Sequence, residues 1–225
     1  MRHTNPHLPA LLACAVLATL GTGAAAEDVP TTVVLIGDSY ISSHGVERGK
    51  SFANQLQAAL DAAKVAAHVV DTGYTGTSVA GAQMIDKRLA APDGLGAVGP
   101  KAVIVELGQN DCFSSFQLQK TRANLDQLLA RFAEAGIPAL VVGTTPYEYC
   151  ERGQQPSYKS LYVPMFAELA DKYGDLYYRD FKDGVNGHLD LMQGDQDHPT
   201  AEGDAVIVAN MLPVIKDLIA RATLP

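Results

Sequence analysis

The chain has 225 residues, 19% of them charged, with 25 acidic side chains against 17 basic ones and a formal charge of −8 at neutral pH. That balance argues against nucleic acid or an anionic lipid surface as a partner, because both need a basic footprint. With an N-terminal leader set aside, roughly 200 residues remain, enough for one domain with a sizeable core but not for two.

The leader comes first. Arg2 and a short polar stretch precede an apolar run from about Leu8 to Leu20, and Ala24-x-Ala26 offers small residues just before Glu27. Residues 1–26 therefore read as a secretory signal peptide and 27–225 as a single mature domain, periplasmic or secreted. The apolar run falls short of the ~20 residues a spanning helix needs, which counts against an anchor and against stable membrane insertion. A lipid attachment through Leu11-Leu12-Ala13-Cys14 fits less well, since most of the apolar stretch follows that cysteine. Losing Arg2 takes the charge from −8 to −9. Cys14 leaves with the leader, so Cys112 and Cys150 remain as an even pair in an exported protein, and a disulfide between them is expected.

Runs rich in β-branched residues at 32–37, 67–71, 102–107, 138–143 and 175–179 read as strands. Helical patterns fill about 51–64, 78–90, 117–135, 157–173 and 200–220. The clearest is the third, where Leu125, Leu128, Leu129 and Phe132 recur at helical spacing and Gly136 stands where a terminating glycine belongs. Pro164 and Pro213 fall inside helical patterns, where kinks or breaks are expected. Ala91 to Pro100 reads as a loop. Five strands alternating with helices imply a three-layer α/β/α fold with a doubly wound parallel sheet. The loops at the carboxyl ends of its strands then share one edge, gathering Ser39, Gly76, Asn110 and Cys150 on one rim.

Three short words on that rim carry chemistry: Gly37-Asp38-Ser39, Gly108-Gln109-Asn110-Asp111 and Asp195-Gln196-Asp197-His198. A serine hydroxyl is a weak nucleophile at neutral pH and needs a base as it attacks an ester carbonyl. His198 is the candidate base. A carboxylate on its far ring nitrogen would fix the tautomer, and Asp195, three residues earlier, reaches back more easily than the adjacent Asp197. Taken singly these words are weak. Ser39 could be a turn or cap residue, His198 a loop histidine, and Gly76 an ordinary turn glycine; their joint order is what points to a hydrolase. His44, His68 and His188 are assigned to surface or packing roles. Asp38 and Asp111 are expected to bond loop amides that hold Ser39 and Asn110. A competing nucleophile elbow at Gly76-Thr77-Ser78-Val79-Ala80 lacks its final glycine, and Ser78 is read instead as opening a helix.

The order of these words resembles the SGNH (GDSL-type) hydrolases over nearly all of residues 31–220. Gly37-Asp38-Ser39-Tyr40 matches the first family block, Val70 to Ser78 the second, Gly108-Gln109-Asn110-Asp111 the third, and Asp195 with His198 the fifth. The likeness extends to small exported bacterial esterases with thioesterase, lysophospholipase and arylesterase activities, through Val-Glu-Leu-Gly-x-Asn-Asp at 105–111 and Met-Gln-x-Asp-x-x-His-Pro at 192–199. The resemblance implies a flavodoxin-like sheet, Ser39, Asp195 and His198 as catalytic residues, and an oxyanion hole from the backbone N–H groups of Ser39 and Gly76 and the side chain of Asn110. Tyr40 stands where the family usually has leucine, and Thr77 where it usually has aspartate; both are expected to reshape the entrance.

The aromatic loop after the fourth strand supplies Tyr147 and Tyr149 as candidate substrate-binding residues, with simple packing of that loop as the alternative. No cysteine or histidine spacing suits zinc, and no Walker or dinucleotide glycine pattern is present, so neither metal nor cofactor is expected. The substrate is expected to be a small-molecule or lipid acyl ester. A carbohydrate O-acetylesterase and a non-catalytic binding module remain as alternatives, and the oligomeric state stays open.

Overall fold

A computed structural model describes residue 1 and residues 29–90, 98–112, 117–151 and 157–224. The expected leader, most of the loop at 91–97 and residues 152–156 lie outside the described residues.

Five parallel strands, β1 (Thr31–Gly37), β2 (Ala67–Tyr74), β3 (Ala102–Glu106), β4 (Ala139–Val142) and β5 (Leu176–Tyr178), form one sheet in the order β2-β1-β3-β4-β5. The β-branched runs of β1, β3 and β4 are buried on both faces, as strands covered by helices on each side must be. Between the strands run α1 (Phe52–Ala62), α2 (Ser78–Ala90), α3 (Leu118–Glu134), α4 (Tyr158–Tyr173) and, after β5, α5 (Ala201–Ala222).

Alternate strand residues divide between two cores. Val33, Leu35, Ile104, Leu140 and Val142 pack on Phe52, Leu56 and Leu60 of α1 and on Ile207, Met211, Ile215 and Leu218 of α5. Val34, Ile36, Val103, Val105 and Val141 pack on Leu125, Leu128, Leu129 and Phe132 of α3 and on Tyr162, Met165, Phe166 and Leu169 of α4. Each fully buried Leu or Phe contributes on the order of 1.5–3 kcal/mol relative to exposure, so both layers are held firmly. The chain winds outward from β1 to β2 and in the opposite direction from β3 onward. The strand order therefore reverses between β1 and β3, and the crevice above their carboxyl ends is where such sheets take ligands.

Helix starts follow their sequence signals. Ser51, Ser157 and Thr200 accept the amide hydrogens of Asn54, Ser160 and Gly203 as N-caps, and Gly174 ends α4 at φ 69°. Two expectations shift. Neither Pro164 nor Pro213 ends its helix, because buried residues beyond each proline, Met165 to Leu169 and Ile215 to Ile219, hold the following turns against the sheet. β2 also runs three residues past its expected end, with a register irregularity that leaves Tyr74 opposite Gly37. Among the described residues no helix is long and apolar enough to cross a membrane.

Candidate active site

The turn after β1 is shaped by Gly37. A Cβ there would lie 2.3 Å from Ile41 and 2.9 Å from the Glu106 carbonyl, so only glycine brings the chain this close to β3. Asp38 follows, fully buried. Its Oδ1 accepts the Tyr40 amide at 3.0 Å, spanning Ser39, while its own amide donates to Glu106 Oε2 at 3.3 Å. The His44 amide donates to the Ser39 carbonyl at 2.9 Å, and Ser39 is thereby presented at the tip of a closed turn.

The loop before α5 is equally tight. Met192 and Pro199 form an isolated antiparallel bridge, the Gln193 amide donates to the His198 carbonyl at 2.7 Å, and Gln196 takes a left-handed φ of 58°. This folds Asp195 back so that Oδ1 accepts the amides of Asp197 and His198, each at 3.0 Å, and Oδ2 lies 2.7 Å from His198 Nδ1. The far side of the ring, Nε2, lies 2.8 Å from Ser39 Oγ. Partial burial raises the Asp195 carboxyl, but hydrogen bonds from the Asp197 amide and from the ring and amide of His198 outweigh it and hold the group at about 2. Asp195 is therefore ionised wherever an imidazole could act as a base. Of the two aspartates, it is Asp195 that meets the ring.

Gly76 and Asn110 come from the loops after β2 and β3. Gly76 adopts φ 91°, which favours glycine, and a Cβ there would meet the Tyr74 ring at 3.2 Å. Asn110 Nδ2 donates to the Gly76 carbonyl and to Asp38 Oδ2, both at 3.1 Å, and so is fixed between the two loops. Asp111 is buried beneath them, accepting the Ser78 amide at 2.9 Å and the Ser78 hydroxyl. Ser78 thus opens α2 and takes no part in a nucleophile elbow. Thr77 Oγ1 caps the same helix by accepting the Ala80 amide at 3.2 Å.

A family model for the GDSL-like lipase/acylhydrolases matches residues 35–206. The chain belongs to that family. It is 26% identical over 217 residues to esterase TesA of Pseudomonas aeruginosa, covering 93% of this chain and 98% of TesA. Among solved structures, the psychrotrophic esterase EstA from Pseudoalteromonas sp. superposes with a TM-score of 0.72 at 23% identity, over 84% of this chain and 99% of EstA. AlinE4, an SGNH-hydrolase family esterase, gives 0.65 at 28% identity, over 84% and 96%. The chain is a GDSL esterase, and its sheet carries the SGNH fold.

Several features go beyond what the family words foretell. Tyr40 does not line an entrance. It is 1% exposed, stacks on Phe181 at 5.8 Å, and sends its hydroxyl to Asp197 Oδ1 at 2.5 Å. Tyr147 donates to Asp197 Oδ2 at 2.6 Å and stacks on the more exposed Tyr149 at 5.4 Å, so these two candidate substrate-binding residues stand together beside the His198 loop. Cys112 and Cys150 are joined as a disulfide, with Cα atoms 6.1 Å apart, two residues past Asn110 and three past Tyr147.

Under the Ser39 turn lie two buried carboxyls. Burial pushes Asp38 up to about 6, and burial followed by the adjacent Asp38 charge pushes Glu106 well above the ordinary range. A cavity of about 450 Å³ opens on Ser39, lined also by Ser42, His44, Tyr74 and His198. His44 is exposed as expected, yet its ring lies 5.1 Å from that of His198. Glu106 and Lys182 escaped the sequence reading: an acidic residue in a buried strand and a lone lysine in a loop carry no spacing signal. Tyr40 could have been found, since an aromatic hydroxyl in place of leucine needs a partner when buried.

Proposed function

We propose that this esterase cleaves carboxylic esters or thioesters through an acyl-enzyme on Ser39. The observation that carries the reading is the unbroken relay from Ser39 Oγ to His198 Nε2 at 2.8 Å and from His198 Nδ1 to Asp195 at 2.7 Å. His198 takes the Ser39 proton as Oγ attacks the acyl carbonyl, and the ionised Asp195 stabilises the imidazolium. The tetrahedral oxyanion is held by the Ser39 and Gly76 amides and by Asn110, whose hydrogen now shared with the Gly76 carbonyl turns to the incoming oxygen. Collapse expels the alcohol or thiol with the proton from His198, and water reverses the sequence to release the acid.

The cavity at Ser39, ringed by Ser42, His44 and the exposed Tyr74, favours a polar or aromatic leaving group. This suits lysophospholipid, acyl thioester and aryl ester substrates. Residues 1–26 are removed on export and 27–225 form the mature domain. Intact mass of the exported protein checks the cleavage, and a mass that retains residues 1–26 refutes it.

The activity is tested with p-nitrophenyl esters of graded chain length, lysophosphatidylcholine and an acyl-coenzyme A. Ser39→Ala and His198→Ala should each abolish hydrolysis while preserving the circular dichroism of the fold, since the relay acts as a unit. Near-wild-type turnover in either folded variant overturns the assignment. A phosphonate ester, the inhibitor class bound in the EstA structure, should label Ser39 stoichiometrically by mass spectrometry.

A further inference from the structure

His198 is flanked on its own loop by two carboxylates, Asp195 on its ring and Asp197 immediately before it. One is needed to stabilise the imidazolium. A second uncompensated charge would favour the imidazolium in the resting enzyme, which cannot accept the Ser39 proton.

Asp197 is not left uncompensated. Lys182, from the loop after β5, places Nζ 3.1 Å from Asp197 Oδ1, and its side chain is only 12% exposed. The same Nζ donates to Tyr40 Oη at 3.0 Å and lies 4.7 Å over the Tyr40 ring. Tyr40 in turn stands between the two groups, its hydroxyl on Asp197 and its ring centre 5.6 Å from that of His198 in an edge-on arrangement. Burial raises the Asp197 carboxyl, but the Tyr147 and Tyr40 hydroxyls and Lys182 outweigh it and keep the group ionised, so the pair is a true ion pair. A leucine in place of Tyr40 could not build this cluster. It belongs to this chain rather than to the family's Gly-Asp-Ser-Leu word.

We propose that Lys182 is a charge-compensating positioning residue, which, held on Asp197 and Tyr40, offsets the second carboxylate of the His198 loop so that the resting catalytic base stays unprotonated. This rests on the reading of His198 as that base. The other groups facing the imidazole are Asp195 on its own loop, Asp38 on the β1 turn with Glu106 beneath it, His44 on the following turn and Tyr74 after β2. Lys182 is the cation paired with the carboxylate beside it.

The test compares pH profiles of kcat/KM on a p-nitrophenyl ester. Lys182 Nζ lies 4.7 Å from the Tyr40 ring centre, which is itself 5.6 Å from that of His198; across this partly wet rim a unit charge is worth about 0.5–1 pH unit, so Lys182→Met should move the acid limb upward by that amount. Below the limb, activity then falls about 3- to 10-fold. Lys182→Arg should leave the limb in place, Asp197→Asn alone should move it downward, and the Asp197→Asn/Lys182→Met double variant, which removes both charges of the pair, should return it close to wild type. Where Lys182→Met does not fold, Lys182→Gln, which keeps a donor but drops the charge, carries the same expectation. An unmoved limb in the folded charge-loss variant, or a double variant whose limb stays as high as that of Lys182→Met alone, overturns the proposal. NMR titration of the His198 ring in a Ser39→Ala background gives the same comparison without turnover. If Ser39→Ala hydrolyses as well as wild type, the reading of Ser39 falls while the ring titration still decides the role of Lys182.

Discussion

Reducing the Cys112–Cys150 disulfide should cost the protein much of its thermal stability and alter its substrate preference before it loses activity. The bond spans 38 positions of sequence, a loop that includes α3 and β4. On the loop-entropy account, closing such a loop restricts the unfolded chain by about 13 cal/mol/K, or about 4 kcal/mol at 25 °C. For a domain of this size that corresponds to a fall in Tm of roughly 8–16 °C. The functional part follows from what the bond joins. Cys112 lies two residues beyond Asn110, and Cys150 three beyond Tyr147, whose hydroxyl is held by Asp197. Opening it frees the aromatic loop on one side of the site while Ser39, His198 and Asp195 keep their own contacts. The assay is calorimetric or circular-dichroism melting of the oxidised protein, the reduced protein and the Cys112→Ser/Cys150→Ser variant, with kcat/KM across ester chain lengths. Thiol titration of the unreduced, denatured mature protein should find no free thiols. Two free thiols, or a melting difference under about 3 °C with an unchanged chain-length profile, would refute the reasoning.

Asn110→Ala should lower kcat by ~10²–10³, as removal of one oxyanion donor does, and a change confined to KM would make it a binding residue instead. Asp195→Asn should impair kcat far more than Asp197→Asn, because only Asp195 contacts the His198 ring; the reverse ranking moves the orienting role. Asp204 is buried in α5, accepts the Ser43 hydroxyl at 2.7 Å and is pushed by burial up to about 7. Its folded form therefore keeps a proton that the unfolded chain gives up near 3.8, so its contribution to stability is present at low pH and is lost as pH rises toward about 7. Asp204→Asn should flatten the dependence of Tm on pH between about 4 and 7, and an unchanged slope would count against a raised Asp204.

The strands and helices were legible because their burial pattern is written in the sequence. A parallel sheet covered on both sides must be apolar without alternation, and 33–36, 102–105 and 139–142 are. Neither proline broke its helix, because propensity is local, while Ile215 and Leu218 gain from packing on β1, β3 and β4. The words around Ser39, Asn110 and His198 were legible because tight turns restrict which residues fit, and spacing alone chose Asp195 over Asp197. The buried polar contacts were not. Lys182 reaches Asp197 from 15 positions away and Tyr40 from 157, and such pairings exist only once the sheet has set the loops side by side. Nothing in the neighbouring residues of either partner announces them.

The relay joins the first strand to the threshold of the last helix: Ser39 and His198 are 159 positions apart. A ribosome therefore delivers the serine early and its histidine only when synthesis is nearly over. Until α5 has docked against β1, β3 and β4, no segment of the chain holds both partners, so a nascent or extended chain carries no assembled relay. Activity can begin only with completion of the fold.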